Sequence, residues 1–311
     1  MRKTSGEQQK PTTSTSAFLK ELYRIWITER PTQFAAALAY YAIFSFVPVI
    51  YIAFAITDIV VSRLSVSEQF YAQIAGLLGV EVAQALQDAV LGLSEKTSGS
   101  SPLISLISFV ALAFTASLLF FQLQHTLNTL WKVPPPARGE TLAYVRNRLL
   151  AFAGVLGVVV LMIVATASNV LISLINSRLD SGFPVSFGNL LVFVGLAALS
   201  FALLYKALPN ARAAWRDVWV GAGVAALLVT VGFYLVKLYL GANRLSSALE
   251  AAGAVAVLLM GFYYLGQIFV LGALITRVYA SMFGAKILPR EAEGMPSDPS
   301  PGESPDDKPE I

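Results

Sequence analysis

Six stretches of the chain are long and free of Asp, Glu, Lys and Arg: residues 31–57, 97–131, 149–177, 181–205, 218–236 and 251–276. Each is a continuous apolar run, without the alternation of a barrel strand that faces lipid on one side and a lumen on the other. A charge at mid-bilayer costs about 2.5–3.5 kcal/mol on insertion scales, and a helix needs about 20 apolar residues to cross the hydrocarbon. The pattern predicts an all-α polytopic membrane protein with six transmembrane helices, over about 33–57, 103–127, 149–176, 189–205, 218–240 and 251–275. The second window exceeds one span, and its Ser/Gly/Pro cluster at 97–102 trims the start to Leu103.

Between the first two spans, residues 58–102 carry Phe70, Ile74, Leu77, Leu78, Val82, Leu86, Val90 and Leu93 near helical spacing, with Glu68, Glu81, Asp88 and Glu95 among them. This predicts an amphipathic helical segment on the outer side, one helix or a pair broken at Gly76 or Gly79. Residues 1–16 are polar and read as a disordered tail. From 17 to 30, Phe18, Leu19, Leu22, Ile25 and Trp26 recur at helical spacing beside Lys20, Arg24 and Arg30. Two readings fit: a helix on the surface of the cytoplasmic leaflet, or a helical lead-in to the first span. The membrane domain is expected over 17–287, followed by a Pro-, Asp- and Glu-rich disordered tail over 288–311.

Composition sharpens the class. The 311 residues are 56% hydrophobic and only 13% charged, with a mean hydropathy of +0.66. Soluble chains carry roughly 25% charged residues, so a soluble enzyme or a disordered protein is excluded, and zero cysteines exclude a disulfide-stapled domain. Of the 22 Lys and Arg residues, 17 fall in segments 1–32, 128–148, 206–217 and 276–311; four fall in 58–102, 177–188 and 241–250, and Lys237 lies inside the fifth span. That asymmetry predicts both termini in the cytoplasm of a multi-pass bacterial inner-membrane protein. It also accounts for the basic pI of 9.0 without nucleic acid. The polar first 30 residues hold no apolar region of signal-peptide type, so the first span is expected to act as an uncleaved anchor.

Polar groups within spans point to function, because lipid offers them no hydrogen-bond partner. The end of span two holds Gln122, Gln124, His125 and Asn128 at i, i+3 and i, i+4 spacings, a polar stripe expected to face the bundle. Span one holds Tyr40, Tyr41 and Ser45, then Pro48, which frees the Phe44 carbonyl within the helix. Lys237, Asn169 and Gln267 are isolated and read as snorkelling or helix-packing residues. His125 is the only histidine, which excludes a two-His metal site. All acidic residues lie in loops, tails or span ends. No metal, no cofactor and no catalysis are expected.

Several stretches resemble the YihY/BrkB family of bacterial inner-membrane proteins. They are Ala35-Ala36-Ala37-Leu38-Ala39-Tyr40-Tyr41 with Ser45 and Pro48; Asn128-Thr129-Leu130-Trp131; Leu204-Tyr205-Lys206-Ala207-Leu208-Pro209-Asn210 with Arg212, Trp215, Arg216 and Asp217; and Gly272-Ala273. The chain has Ala252-Gly253 and Gly272-Ala273-Leu274 where the family usually has Tyr-Gly and Gly-Ala-Glu. The resemblance implies a six-helix membrane protein linked by name to virulence and serum resistance, and to envelope lipid transport. It makes Pro209, Asn210 and Arg212 part of the family's distinctive loop. An older family label, ribonuclease BN, finds no support in a chain with one histidine. The function expected is transport or translocation of an amphiphilic, lipid-like substrate; the alternative is a non-transporting scaffold for envelope assembly. The partners expected are membrane lipids, such a substrate and a second copy of the chain.

Overall fold

The computed structural model describes residues 15–60, 66–78, 80–98, 102–133, 157, 185–242, 250–284 and 287–289. Eight helices are present among them: α1 (Thr15–Glu29), α2 (Pro31–Val60), α3 (Val66–Leu78), α4 (Val80–Ser98), α5 (Pro102–Leu130), α6 (Val185–Ala207), α7 (Trp215–Ala242) and α8 (Glu250–Met282). Five of these, α2 and α5 to α8, are long and apolar enough to cross a membrane. The expected third span, 149–176, lies outside the described residues apart from Gly157, as does Asn169.

The helices begin and end where local chemistry dictates. Pro31 opens α2, at the position where its missing N–H costs nothing, and Arg30, at φ 45°, turns the chain there from α1. Helix α5 closes in a Schellman motif: Lys132 N–H donates to Thr129 O at 3.1 Å and Val133 N–H to Asn128 O at 2.8 Å. Lys132 takes the left-handed position at φ 56°, which glycine usually fills. Pro209 stops α6 just past Ala207. Pro48 sits buried inside α2, which continues through it.

Helix α8 is the hub, packed along α2 and α7 and crossed by α1, while α2 also packs along α5 and α6 along α7. Two of its contacts need glycine. A side chain at Gly266 would come within 2.9 Å of Ala35 O on α2, and one at Gly272 would meet Tyr205 Oη and come within 3.0 Å of Gly221 O on α7. Small residues let backbones approach this closely. At one end of α2, Ile50 and Phe54 join Leu86 and Val90 of α4 and Phe70, Tyr71 and Ile74 of α3 in a separate apolar cluster. Along α4, Val82, Ala83, Leu86 and Val90 are buried, whereas Gln84, Gln87 and Asp88 are exposed.

The boundaries of the ordered part need two corrections. Leu288 and Pro289, expected within a disordered tail, form a short strand β2 that pairs antiparallel with β1 (Ala211–Arg212), Ala211 opposite Pro289 and Arg212 opposite Leu288. The backbone groups of the 208–214 loop need partners once the loop is tucked against the bundle, and the chain after α8 supplies them. Helix α1 also starts at Thr15, slightly earlier than expected.

Candidate functional site

The end of the bundle opposite the α3–α4 cluster is a junction of helix termini, held by side chains that reach backbone carbonyls far away in sequence. Pro209 leaves the carbonyls at the end of α6 without helical donors. Gln124 Nε2 donates to Leu208 O at 2.8 Å, and Asn210 N–H donates to Asn128 Oδ1 at 2.9 Å. These two contacts lock the 208–214 loop onto α5. Lys206 Nζ donates to Ala213 O at 2.6 Å and lies 5.5 Å from the centre of the Trp215 ring, closing the loop on itself. Ala214 O accepts from the N–H groups of Asp217 and Val218 as α7 begins, each at 3.1 Å.

Helix α8 carries a second set of ties on one stripe, residues 269, 273 and 277, spaced four apart. Tyr205 Oη donates to Phe269 O at 2.8 Å, and Trp131 Nε1 donates to Ala273 O at 3.0 Å. Arg277 Nη1 donates to Leu130 O, the last carbonyl of α5, at 2.5 Å. Glu29, ending α1, lies 3.7 Å from Arg277 and 3.1 Å from Lys132. Helices α1, α5 and α6 therefore meet α8 through specific polar contacts. Asp217 is buried against Gly284, where no side chain would fit. Thr126 Oγ1, Asn210 Oδ1 and Asp217 Oδ2 are buried without a hydrogen-bond partner.

The structure divides the expected site residues. It brings Gln124, Asn128, Pro209 and Asn210 together at the junction, all buried except the half-buried Asn128. Arg212, exposed, lies in the paired strand beside them. The polar stripe of α5 does not face inwards as a whole. His125 is exposed and Gln122 half-buried, because successive helical residues turn by about 100° and only Gln124 and Asn128, four apart, share the inner face. On α2, Ser45 is buried and donates its hydroxyl to Tyr41 O. Tyr40 faces outwards, with its ring 5.6 Å from that of Tyr41 and 4.9 Å from that of Phe44. Glu29 and Arg277 are junction residues that the reading of the sequence did not single out, and Trp131 and Tyr205 entered it only within the stretches that carry the family resemblance. Their partners are backbone carbonyls or charges on other elements, and no local spacing signals these. The end-of-helix placement of Arg277 and Trp131 is the one hint the sequence offers.

Among the described residues no group of three or more His, Cys, Asp or Glu is placed to hold a metal ion. The junction's donors and acceptors are mostly engaged with backbone, so its chemistry is that of a structural clamp. The exposed Tyr40 and His125 and the half-buried Gln122 stand apart from it.

Comparison with known proteins fits this picture. A membrane protein of Azotobacter vinelandii named UPF0761 is 26% identical over 260 residues, covering 82% of this chain and 61% of the relative. One from Chromohalobacter salexigens is 28% identical over 225 residues, covering 71% of this chain and 52% of the relative. One from Cronobacter sakazakii is 27% identical over 278 residues, covering 86% and 91%. The chain thus spans between about half and three fifths of the length of the first curated relatives it matches. No solved structure matches it. The family model described as virulence factor BrkB matches residues 23–294, across every element from α1 to β2, and the chain belongs to that family of integral membrane proteins.

Proposed function

We propose that this protein is a non-enzymatic translocase for an amphiphilic, lipid-like substrate of the bacterial envelope, moved along the lipid-facing side of α2 and α5. The observation that carries the reading is the outward placement of Tyr40 and His125, with Gln122 half-buried, on helices of membrane-spanning length. A phenol, an amide and an imidazole left against hydrocarbon are costly. They lower the barrier for a headgroup that must cross the same hydrocarbon, since each provides a hydrogen-bonding partner where lipid provides none. In this reading the protein has six spans in the inner membrane, both termini in the cytoplasm, and the α3–α4 pair capping the outer end. The test is flux: purified protein in liposomes should accelerate the exchange of a fluorescent phospholipid between leaflets. Exchange no faster than in protein-free vesicles sinks the proposal.

A second reading, a scaffold for envelope assembly, is favoured by the engagement of Gln124, Asn128, Trp131, Tyr205 and Arg277 in ties between helices. It predicts no flux, and cross-linking in the native membrane that captures a partner of different sequence.

A further inference from the structure

Helix α1 has two apolar faces, and the bundle covers only one. Ile25 is buried, and Phe18, Leu22 and Trp26 pack against the same core. Leu19, Tyr23 and Ile27, at i, i+4 and i+8 on another face, are 59%, 69% and 60% exposed. Lys20 and Arg24 flank this stripe and are exposed as well. Arg24 is partly held by Glu21, to which it donates two hydrogen bonds, of 2.9 and 2.5 Å.

We infer that this outward stripe is seated in the boundary between headgroups and acyl chains of an anionic bilayer, with Lys20 and Arg24 against lipid phosphates. Position supports a membrane as the occupant. Only Arg30 separates α1 from α2, a helix of spanning length, so α1 lies where the bilayer ends. Trp215 and Trp219, exposed on α7 at the same end of the bundle, mark the headgroup level, where amphipathic rings concentrate. Glu29 of α1 is tied to Arg277 of α8, and Asp217, beside these tryptophans, packs on Gly284 of the same segment. Arg277 and Gly284 are separated by about 10 Å along a helix axis, so the Glu29 end of α1 and the tryptophans lie close to one level of the bundle. Charge supports it too, because basic residues beside an apolar stripe are the arrangement that anionic lipid recognises. A second copy fits less well. Stable protein interfaces bury about 800 Å² per partner, more than three side chains supply, and two such stripes would bring like charges together.

The inference does not depend on whether anything is transported, and its test has no flux readout. The chain has no cysteine, so Tyr23→Cys and Ile27→Cys each carry a single fluorescent label. The full protein is reconstituted in vesicles of phosphatidylcholine alone or with phosphatidylglycerol. In the anionic vesicles, an aqueous quencher is expected to act on either label with about a fifth of its efficiency on free dye, and spin-labelled lipid is expected to quench both. Adding Lys20→Gln and Arg24→Gln should raise aqueous quenching in anionic vesicles and leave neutral vesicles unchanged. Aqueous quenching equal to that of free dye at both positions overturns the inference. So does ready oxidation of the unlabelled Tyr23→Cys protein to a disulfide-linked dimer, which would place a second copy on the stripe.

Discussion

At the scale of single residues, polar groups in this protein divide by the side of the helix they occupy. Gln124 and Asn128 serve the 208–214 loop; His125, next to Gln124 in sequence, serves nothing in the bundle that its exposure reveals. Gln124→Leu keeps the volume but leaves Leu208 O without its donor. The expected loss is about 1–2 kcal/mol, read as a lower thermal midpoint in detergent, whereas His125→Leu should leave the midpoint unchanged. Gly272→Ala would set a methyl group against Tyr205 Oη and Gly221 O. Overpacking of this kind costs about 1–3 kcal/mol, and a melting temperature equal to the parent's would show that α7 and α8 can separate there without penalty. Arg24→Gln touches only an exposed pair and should leave the melting temperature where it is. Much of the junction was legible in part: Gln124 and Asn128 stand out because amides are unusual at the end of an apolar run, and Asn210 enters through the resemblance of its loop to the family's. Trp131, Tyr205 and Arg277 were not, because a donor aimed at a carbonyl 64 to 147 residues away leaves no trace in local spacing.

At the scale of elements, hydrophobic length predicted the helices well and their ends less well. Charge-free windows place α2, α5, α6, α7 and α8, but the helices run on past the expected span ends of 127 and 275, as α5 does to Leu130 and α8 to Met282, because an apolar window does not mark where backbone hydrogen bonding stops. The end of α5 provides a direct check on cap chemistry. A non-glycine residue in the left-handed region costs roughly 1 kcal/mol, and the exposed contact of Lys132 with Glu29 returns at most a fraction of that. Lys132→Gly is therefore expected to raise the melting temperature. A fall of several degrees would mean that the tie to α1 outweighs the backbone strain. The expected outer helical segment is described as α3 and α4, Val66–Leu78 and Val80–Ser98, while Gly79, one of the two glycines expected to break it, lies outside the described residues. The strand pair β1–β2 had no such signal, since two residues are too short for any period.

At the scale of the whole molecule, the account is a bundle centred on α8, clamped at one end by side chain–backbone ties and covered at the other by α3 and α4. Absence of cysteine makes its topology directly measurable. Single cysteines placed at Ser16 and Arg212 should react in intact cells only with a membrane-permeant reagent, whereas one at Asp88 should react with an impermeant reagent in cells with a permeable outer membrane. Reaction of all three with the impermeant reagent would contradict the orientation read from the Lys and Arg asymmetry.

The central claim is the division of labour between inward polar groups that hold the bundle and outward ones that meet the substrate. A crossed experiment tests it: leaflet exchange of a fluorescent phospholipid, measured per folded molecule in liposomes for the parent, Gln124→Leu and His125→Leu proteins, with melting temperatures taken on the same preparations. The account predicts that Gln124→Leu melts lower but keeps its flux per folded molecule, while His125→Leu melts like the parent and loses most of its flux. Equal flux in the parent and His125→Leu, or exchange no faster than in protein-free vesicles for all three, would contradict it.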